Sequence, residues 1–184
     1  AGGFIGKNLT AARRTKGYHD ILCFDLDTPR ELLAEYAARA QFVFHLAGIN
    51  RPKDPSEFYA GNRVFTEELL HLLAKAENRA PVLVTSSIQA ALDNDYGISK
   101  REAEALVFEH ERATGAPALV YRLPGVFGKW CRPSYNSVVA TFCHNIAHGL
   151  PIEVRDRAYA FDLVYIDDVA ESFIAAMEGR AVRD

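Results

Sequence analysis

The stretch "VTSSIQAALDNDYGISK" (residues 84–100) decides how the chain is read. It opens inside an apolar run, "VLVTSS" (82–87), with the character of a buried strand. The strand ends in Ser86 and Ser87. Tyr96 follows, and Lys100 stands four positions later, at the start of the next predicted helix. Residues i and i+4 share one helical face, so Tyr96 and Lys100 are expected to point into one pocket. A phenol with a pKa of ~10 is a poor acid–base group at neutral pH. A nearby ammonium favours the phenolate and lowers that value. A serine hydroxyl at the strand end can hold a carbonyl oxygen beside the phenol. Together these groups can pass a proton to or from an oxygen while a cofactor passes a hydride to the carbon. The plainer reading is a chance Y-x-x-x-K pair on a solvated surface.

Outward from this stretch the chain alternates. Lys7–Lys16 reads as a helix, "ILCFDL" (21–26) as a strand, and Thr28-Pro29 as the cap and first residue of a helix through "LLAEYAARA". "FVFHLAG" (42–48) is a buried strand and 62–76 a helix; 99–115 is a helix stopped by glycine, and "ALVYRL" (118–123) a further strand. Helices follow at 137–149 and 168–179, with a short strand near 163–166. Such alternation predicts an α/β fold, a doubly wound parallel sheet with helices on both faces.

The start, "AGGFIGKNL" (1–9), looks like the glycine turn between strand and helix in a dinucleotide-binding unit. Gly3 would let backbone approach a pyrophosphate, and Gly6 would let the helix pack closely. The alternative is an ordinary flexible chain end. The strand that should enter this turn is the central one, and it is absent from the chain. The expectation is therefore a rearranged sheet or a longer protein, with weak dinucleotide binding by these residues alone.

Composition bounds the rest. At 184 residues with 49% hydrophobic, one folded domain is expected. The formal charge of −3 is scattered, which argues against nucleic acid and against a polybasic membrane anchor. No apolar run approaches the ~18 residues of a membrane span. Cys23, Cys131 and Cys143 are widely spaced and form no zinc pattern, so no metal site is expected and a reducing, cytoplasmic location is.

In this order the segments resemble the extended short-chain dehydrogenases of the NAD-dependent epimerase/dehydratase family. "AGGFIG" is similar to the family's glycine loop and "HLAG" (45–48) to its H-L-A-A. "GNRVFTEELLHLL" (61–73) is similar to its N-V-x-G-T-x-x-L-L helix. "TSS" with Tyr96 and Lys100 is similar to its catalytic triad, with Ser87 the better match for the serine. "YRLPGVFG" (121–128) and "LVYIDDVAE" (163–171) follow its later motifs. "HLAGINRP", "SSIQA" and "FGKWCRPSYNSVVATFCHNIA" resemble most the reductase domain of capsular-polysaccharide enzymes of the CapF type, which precedes a metal-binding cupin domain.

The resemblance implies a Rossmann-like NAD(P)-binding region over 1–128 and a partial nucleotide-sugar-binding region over 129–184, with the cupin and the remainder of the substrate region absent. It implies reduction of the C4 ketone of a UDP-4-keto-6-deoxy-hexosamine, with Ser87, Tyr96 and Lys100 catalytic. Gly3, Phe4, Ile5, Gly6, Asp25, Leu26, Leu46, Ala47, Gly48, Tyr96, Lys100 and Leu123 would hold the cofactor. Gln89, Asn136, Ser137 and Arg157 would hold the substrate. NADP(H) is favoured and NAD(H) is the other candidate, because Asp27, read as a ribose-binding acid, points to NAD. Asp25 could equally be the adenine-side aspartate. A homodimer is expected at full length.

Three features depart from the family. Only one strand–helix unit lies between the first helix and "FVFHLAG". Gly125 replaces the asparagine of R-x-x-N-V. Phe161 stands where an arginine is frequent. Other residues have plain readings: His45 as a core histidine, Asn62 as a helix cap or an active-site neighbour, Cys131 as a buried thiol. Arg51, Lys129, Arg132, Arg155 and Arg157 are candidates for holding a diphosphate. Asp167-Asp168 reads as a helix N-cap pair. Two other functions use the same elements. A 4-epimerase or 4,6-dehydratase shares the triad, although Gln89 in place of a carboxylate disfavours dehydration. A non-catalytic NAD(P)-sensing module would not need Tyr96.

Overall fold

The structure is a computed structural model, and it describes residues 1–52, 54, 56–154 and 156–180. Arg155, one of the candidate diphosphate-binding cations, lies outside the described residues. The chain divides into two compact units. One comprises Ala1 and Asp20–Leu123; the other comprises Gly2–His19 and Pro124–Asp184.

The larger unit is built on a parallel three-stranded sheet. Its elements are α2 (Leu32–Arg39), β1 (Val43–His45), the single-turn α3 (Ser56–Phe58), a π-helical stretch (Tyr59–Val64), α4 (Phe65–Lys75), β2 (Val82–Ser87), a 3₁₀ turn (Ile88–Ala91), α5 (Asp95–Thr114) and β3 (Ala118–Leu123). The strand order is β1-β2-β3, with Val43 opposite Val82 and Ser87 opposite Leu123. Every residue of β2 is buried, as its continuous apolar run requires of a central parallel strand. Leu33, Leu69, Leu73, Val82, Val84 and Val107 form the core between helices and sheet. Gly115 ends α5 in the left-handed conformation at φ 76°, which favours glycine, as the sequence anticipated.

Two expectations in this unit are corrected. "ILCFDL" forms no strand. Its apolar content is used, since Phe24 stacks on Phe65 with ring centroids 6.1 Å apart. A strand, however, exists only through its ladder, and among the described residues β1 pairs with β2 and with no other strand. Thr28 does not cap a helix. Its hydroxyl accepts the Asp25 N–H at 2.9 Å, and α2 begins only at Leu32, behind two tight turns over Pro29 and Arg30.

The smaller unit contains α1 (Phe4–Thr15), β4 (Gly125–Phe127), α6 (Val138–Ala147), β5 (Leu163–Tyr165) and α7 (Ile166–Met177). Strands β4 and β5 pair in parallel, and α1 packs on α7, with Leu9 of the one and Ile166, Val169 and Phe173 of the other buried. The pairing explains one family departure: a Cβ on Gly125 would meet Leu163 Cδ2 at 2.9 Å. Asp167 and Asp168 are not caps. They lie in the first turn of α7, whose N-cap position is Tyr165, and there they face the positive end of the helix dipole. Among the described residues no helix is long and apolar enough to cross a membrane.

Candidate active site

The candidate site residues gather at the strand ends of the larger unit. β1 runs out into Leu46, Ala47 and Gly48, β2 into Ser87, and β3 into Leu123. Carboxyl ends of parallel strands are where open α/β sheets bind ligands. α5 begins just beyond β2. Asn94 caps it by accepting the Gly97 N–H at 2.8 Å, so Tyr96 and Lys100 fall on successive turns. The structure thus brings together Ser87, Gln89, Tyr96, Lys100, Gly48 and Leu123.

Three consecutive residues of β2 meet α5. The Thr85 carbonyl accepts a hydrogen bond from Lys100 Nζ at 3.2 Å. Ser86 Oγ donates to Glu104 Oε1 at 2.5 Å. The Ser87 hydroxyl interacts with the Tyr96 phenol and accepts the Gln89 N–H at 3.2 Å. Lys100 Nζ lies 5.8 Å from the centre of the Tyr96 ring.

The electrostatics differ from the sequence expectation. Burial pushes the Tyr96 phenol above its ordinary value, and the bond to Ser87 only partly offsets this. Burial pulls Lys100 down to about 8, against the opposing pull of Glu104. Tyr96 is therefore held as a neutral phenol, a proton donor, beside a lysine that still carries its charge near neutrality.

His45 and Asn62 complete the surround. Asn62 is buried in the π-helical stretch, a feature frequent at functional sites. It accepts the Ile49 N–H at 2.8 Å and donates to the Ile49 carbonyl and to Ser99 Oγ, each at 3.0 Å. It braces the segment after β1 and caps no helix. Thr66 donates its only proton to the Asn62 carbonyl at 2.6 Å, so the 2.7 Å contact with His45 Nε2 makes that nitrogen the donor. Burial, reinforced by Lys100, holds His45 neutral with a pKa of about 4. A neutral histidine with a committed proton is a core residue, as its sequence context suggested. Gly48 lies in close approach: a Cβ there would meet Lys100 Nζ at 2.8 Å and Asn62 Oδ1 at 3.0 Å, so it would push the ammonium from its place.

The remaining predicted residues have these places. Asp25 is half-buried, and its Oδ1 accepts the Leu26 N–H at 2.9 Å; Leu26 and Asp27 are exposed. In the other unit, Gly3 is the N-cap of α1, which has no side-chain cap and no acid in its first turn. A Cβ on Gly3 would meet nothing within 4 Å. This uncapped helix start with open space beside it fits a phosphate. Phe4 and Ile5 form the first turn, and Gly6 is buried. Asn136 and Arg157 are exposed, and Ser137 caps α6 through the Ala140 N–H at 3.3 Å. Glu104 was not singled out from the sequence. Its signal is its spacing, four after Lys100 and eight after Tyr96 on one helical face.

The chain matches the NAD dependent epimerase/dehydratase family over residues 1–183, and it belongs to that family. It is 44% identical over 180 residues to a UDP-2-acetamido-2,6-beta-L-arabino-hexul-4-ose reductase of Pseudomonas aeruginosa, covering 98% of this chain and 48% of that protein. The capsular polysaccharide assembling protein CapF from Staphylococcus aureus superposes with a TM-score of 0.88 at 40% identity, over 99% of this chain and 49% of that one. At 23% identity, RMD from Pseudomonas aeruginosa shares the fold with a TM-score of 0.75, over 96% of this chain and 71% of that one. The fold is thus of the Rossmann type seen across this family, and the chain spans about half the length of its nearer relatives.

Gly97 gives a direct check on the geometry. A Cβ there would lie 2.4 Å from the carbonyl oxygens of both Gln89 and Leu92, with no flexible side chain to yield. Gly97→Ala should cost about 1–3 kcal/mol in denaturant unfolding, the usual range for overpacking. Unchanged stability would contradict the close packing of the Tyr96 turn on the 3₁₀ turn.

Proposed function

We propose, from this family membership, that the chain serves reduction of the C4 ketone of a UDP-4-keto-6-deoxy-hexosamine in making a capsule or surface-polysaccharide precursor. The observation that carries the reading is the cluster of Ser87, Tyr96 and Lys100 at the carboxyl end of β2. The name of the Pseudomonas aeruginosa relative, a reductase of a UDP-linked hexulose, supports it. The reduced nicotinamide cofactor, when bound, supplies the hydride that adds to C4. Ser87 holds the C4 oxygen by its hydroxyl. Tyr96, kept neutral by burial, gives its proton to that oxygen as the C–H bond forms, and the phenolate regains a proton from water. The Lys100 ammonium stabilises the transient phenolate and orients the cofactor ribose.

Two other uses of the site are weaker. An epimerase would return its hydride to the same substrate, and a dehydratase needs a further acid–base group. At Gln89 the chain places an exposed amide instead of a carboxylate. A non-catalytic dinucleotide sensor gives no account of a half-buried, neutral phenol.

By role, residues 1–128 are the NAD(P)-binding region and 129–184 part of the nucleotide-sugar-binding region. On the family resemblance, Gly3, Phe4, Ile5, Gly6, Asp25, Leu26, Leu46, Ala47, Gly48, Tyr96, Lys100 and Leu123 are assigned to cofactor binding, and Gln89, Asn136, Ser137 and Arg157 to substrate binding. The setting is a cytoplasmic homodimer. NADP(H) is the preferred cofactor on family resemblance, against the exposed Asp27, whose carboxylate would repel a 2′-phosphate.

Tyr96→Phe should lower turnover by ~10²–10⁴, the scale of a lost general acid, with cofactor affinity kept. Near-normal turnover would remove Tyr96 from the chemistry. Titration with both reduced cofactors should give tighter binding of NADPH. Clearly tighter NADH binding would assign the choice to Asp27.

A further inference from the structure

Glu104 is one turn beyond Lys100 on α5, and the two side chains are shut away together: the residues are 5% and 8% exposed. The carboxylate is fully engaged. Oε1 accepts from Ser86 Oγ at 2.5 Å and from Arg122 Nε at 2.9 Å; Oε2 accepts from Arg122 Nη2 at 2.6 Å. Desolvation alone would raise its pKa, but the bonds from Arg122 and Ser86, with the charges of Arg122 and Lys100, hold it low and ionised.

A buried ion pair is weak evidence for a stabilising role, since apolar packing of the same volume frequently does as well. The groups facing Lys100 show what this one gives. Tyr96 on α5 is a neutral phenol. His45 on β1 is a neutral imidazole. β2 presents the Thr85 carbonyl and the π-helical stretch the Asn62 amide, while the Arg122 cation of β3 is bonded to Glu104. Of these and Glu104, Glu104 alone is an anion. Arg122 has its side chain 49% exposed and Glu104 only 6%. Water therefore screens the guanidinium far more than the carboxylate, and the lysine responds to the carboxylate.

The same contacts fix position. Ser86 is the residue between the one that holds Lys100 and the one that meets Tyr96. Anchoring Glu104 there, and bidentate to β3, sets the register of α5 on the sheet.

We propose that Glu104 is a positioning residue for the proton-transfer pair: anchored to Ser86 of β2 and Arg122 of β3, it fixes the turn of α5 that carries Lys100 and is the buried counter-charge of that lysine. The functional consequence rests on the reading that Lys100 serves Tyr96; the charge coupling itself does not.

Glu104→Gln tests it, because the amide keeps the shape and loses the charge. The readout is the titration of Lys100, followed by ¹³C NMR at its Cε in lysine-labelled protein and assigned with Lys100→Arg. In Glu104→Gln the midpoint should fall by about half a pH unit or more, as expected for a nearby charge in a poorly solvated site. Glu104→Met removes the charge at similar volume and should also lower the midpoint; this variant keeps the test open if the first does not fold. An unchanged midpoint in a folded Glu104→Gln or Glu104→Met variant would overturn the proposal. In the reductase assay the alkaline limb of kcat should fall with the lysine midpoint in Glu104→Gln. A lysine midpoint that moves while the limb stays would uphold Glu104 as the counter-charge and overturn the part given to Lys100 in turnover.

Discussion

The buried end of β2 has to be satisfied by α5. Thr85, Ser86 and Ser87 are 7%, 7% and 9% exposed, and they end the central strand of the larger unit's sheet. Each unmet polar group there would cost about 1–3 kcal/mol. Lys100, Glu104 and Tyr96 answer them in turn, from one face of one helix. The spacing of four and four along α5 is thus a packing requirement of the strand end. In the proposed reaction these side chains are ones that the fold already holds in place, so they are oriented before a substrate arrives.

Burial then sorts the protons. The same desolvation that raises Tyr96 lowers Lys100, because it disfavours the charged form of each. A reductase needs a phenol that is protonated before the reaction and tolerable as phenolate after it. A neutral Tyr96 beside a lysine near 8 meets both conditions at neutral pH. His45, close enough for Lys100 to depress it, is already neutral and has committed its proton to Thr66, so it offers no competing acid.

The candidate cluster was more legible in the sequence than the sheet. Tyr96, Lys100 and Ser87 could be read because strand, turn and helix signals bracket them within one short stretch. Strands 82–87 and 118–123 were readable as continuous apolar runs. "ILCFDL" carries the same signal but forms no strand, because a ladder is a property of two segments and sequence pattern reports one. Thr28 and the Asp167-Asp168 pair look like caps, yet turn geometry one to four residues away decides where a helix begins. The charge balance was out of reach for a similar reason. The Y-x-x-x-K spacing predicts a lowered phenol, whereas the depth of burial, visible only in three dimensions, reverses the direction. Glu104 lies on the readable helical face, but its partners Ser86 and Arg122 come from two different strands.

The central claim is that this cluster passes one proton to the C4 oxygen of a keto sugar while hydride reaches C4. It is tested most directly with reduced cofactor deuterated at the nicotinamide C4 and a UDP-4-keto-6-deoxy-hexosamine. The account predicts deuterium at C4 of the product sugar and one oxidised cofactor released per sugar reduced. A product without deuterium at C4, or an altered sugar formed with no net oxidation of the cofactor, would contradict it.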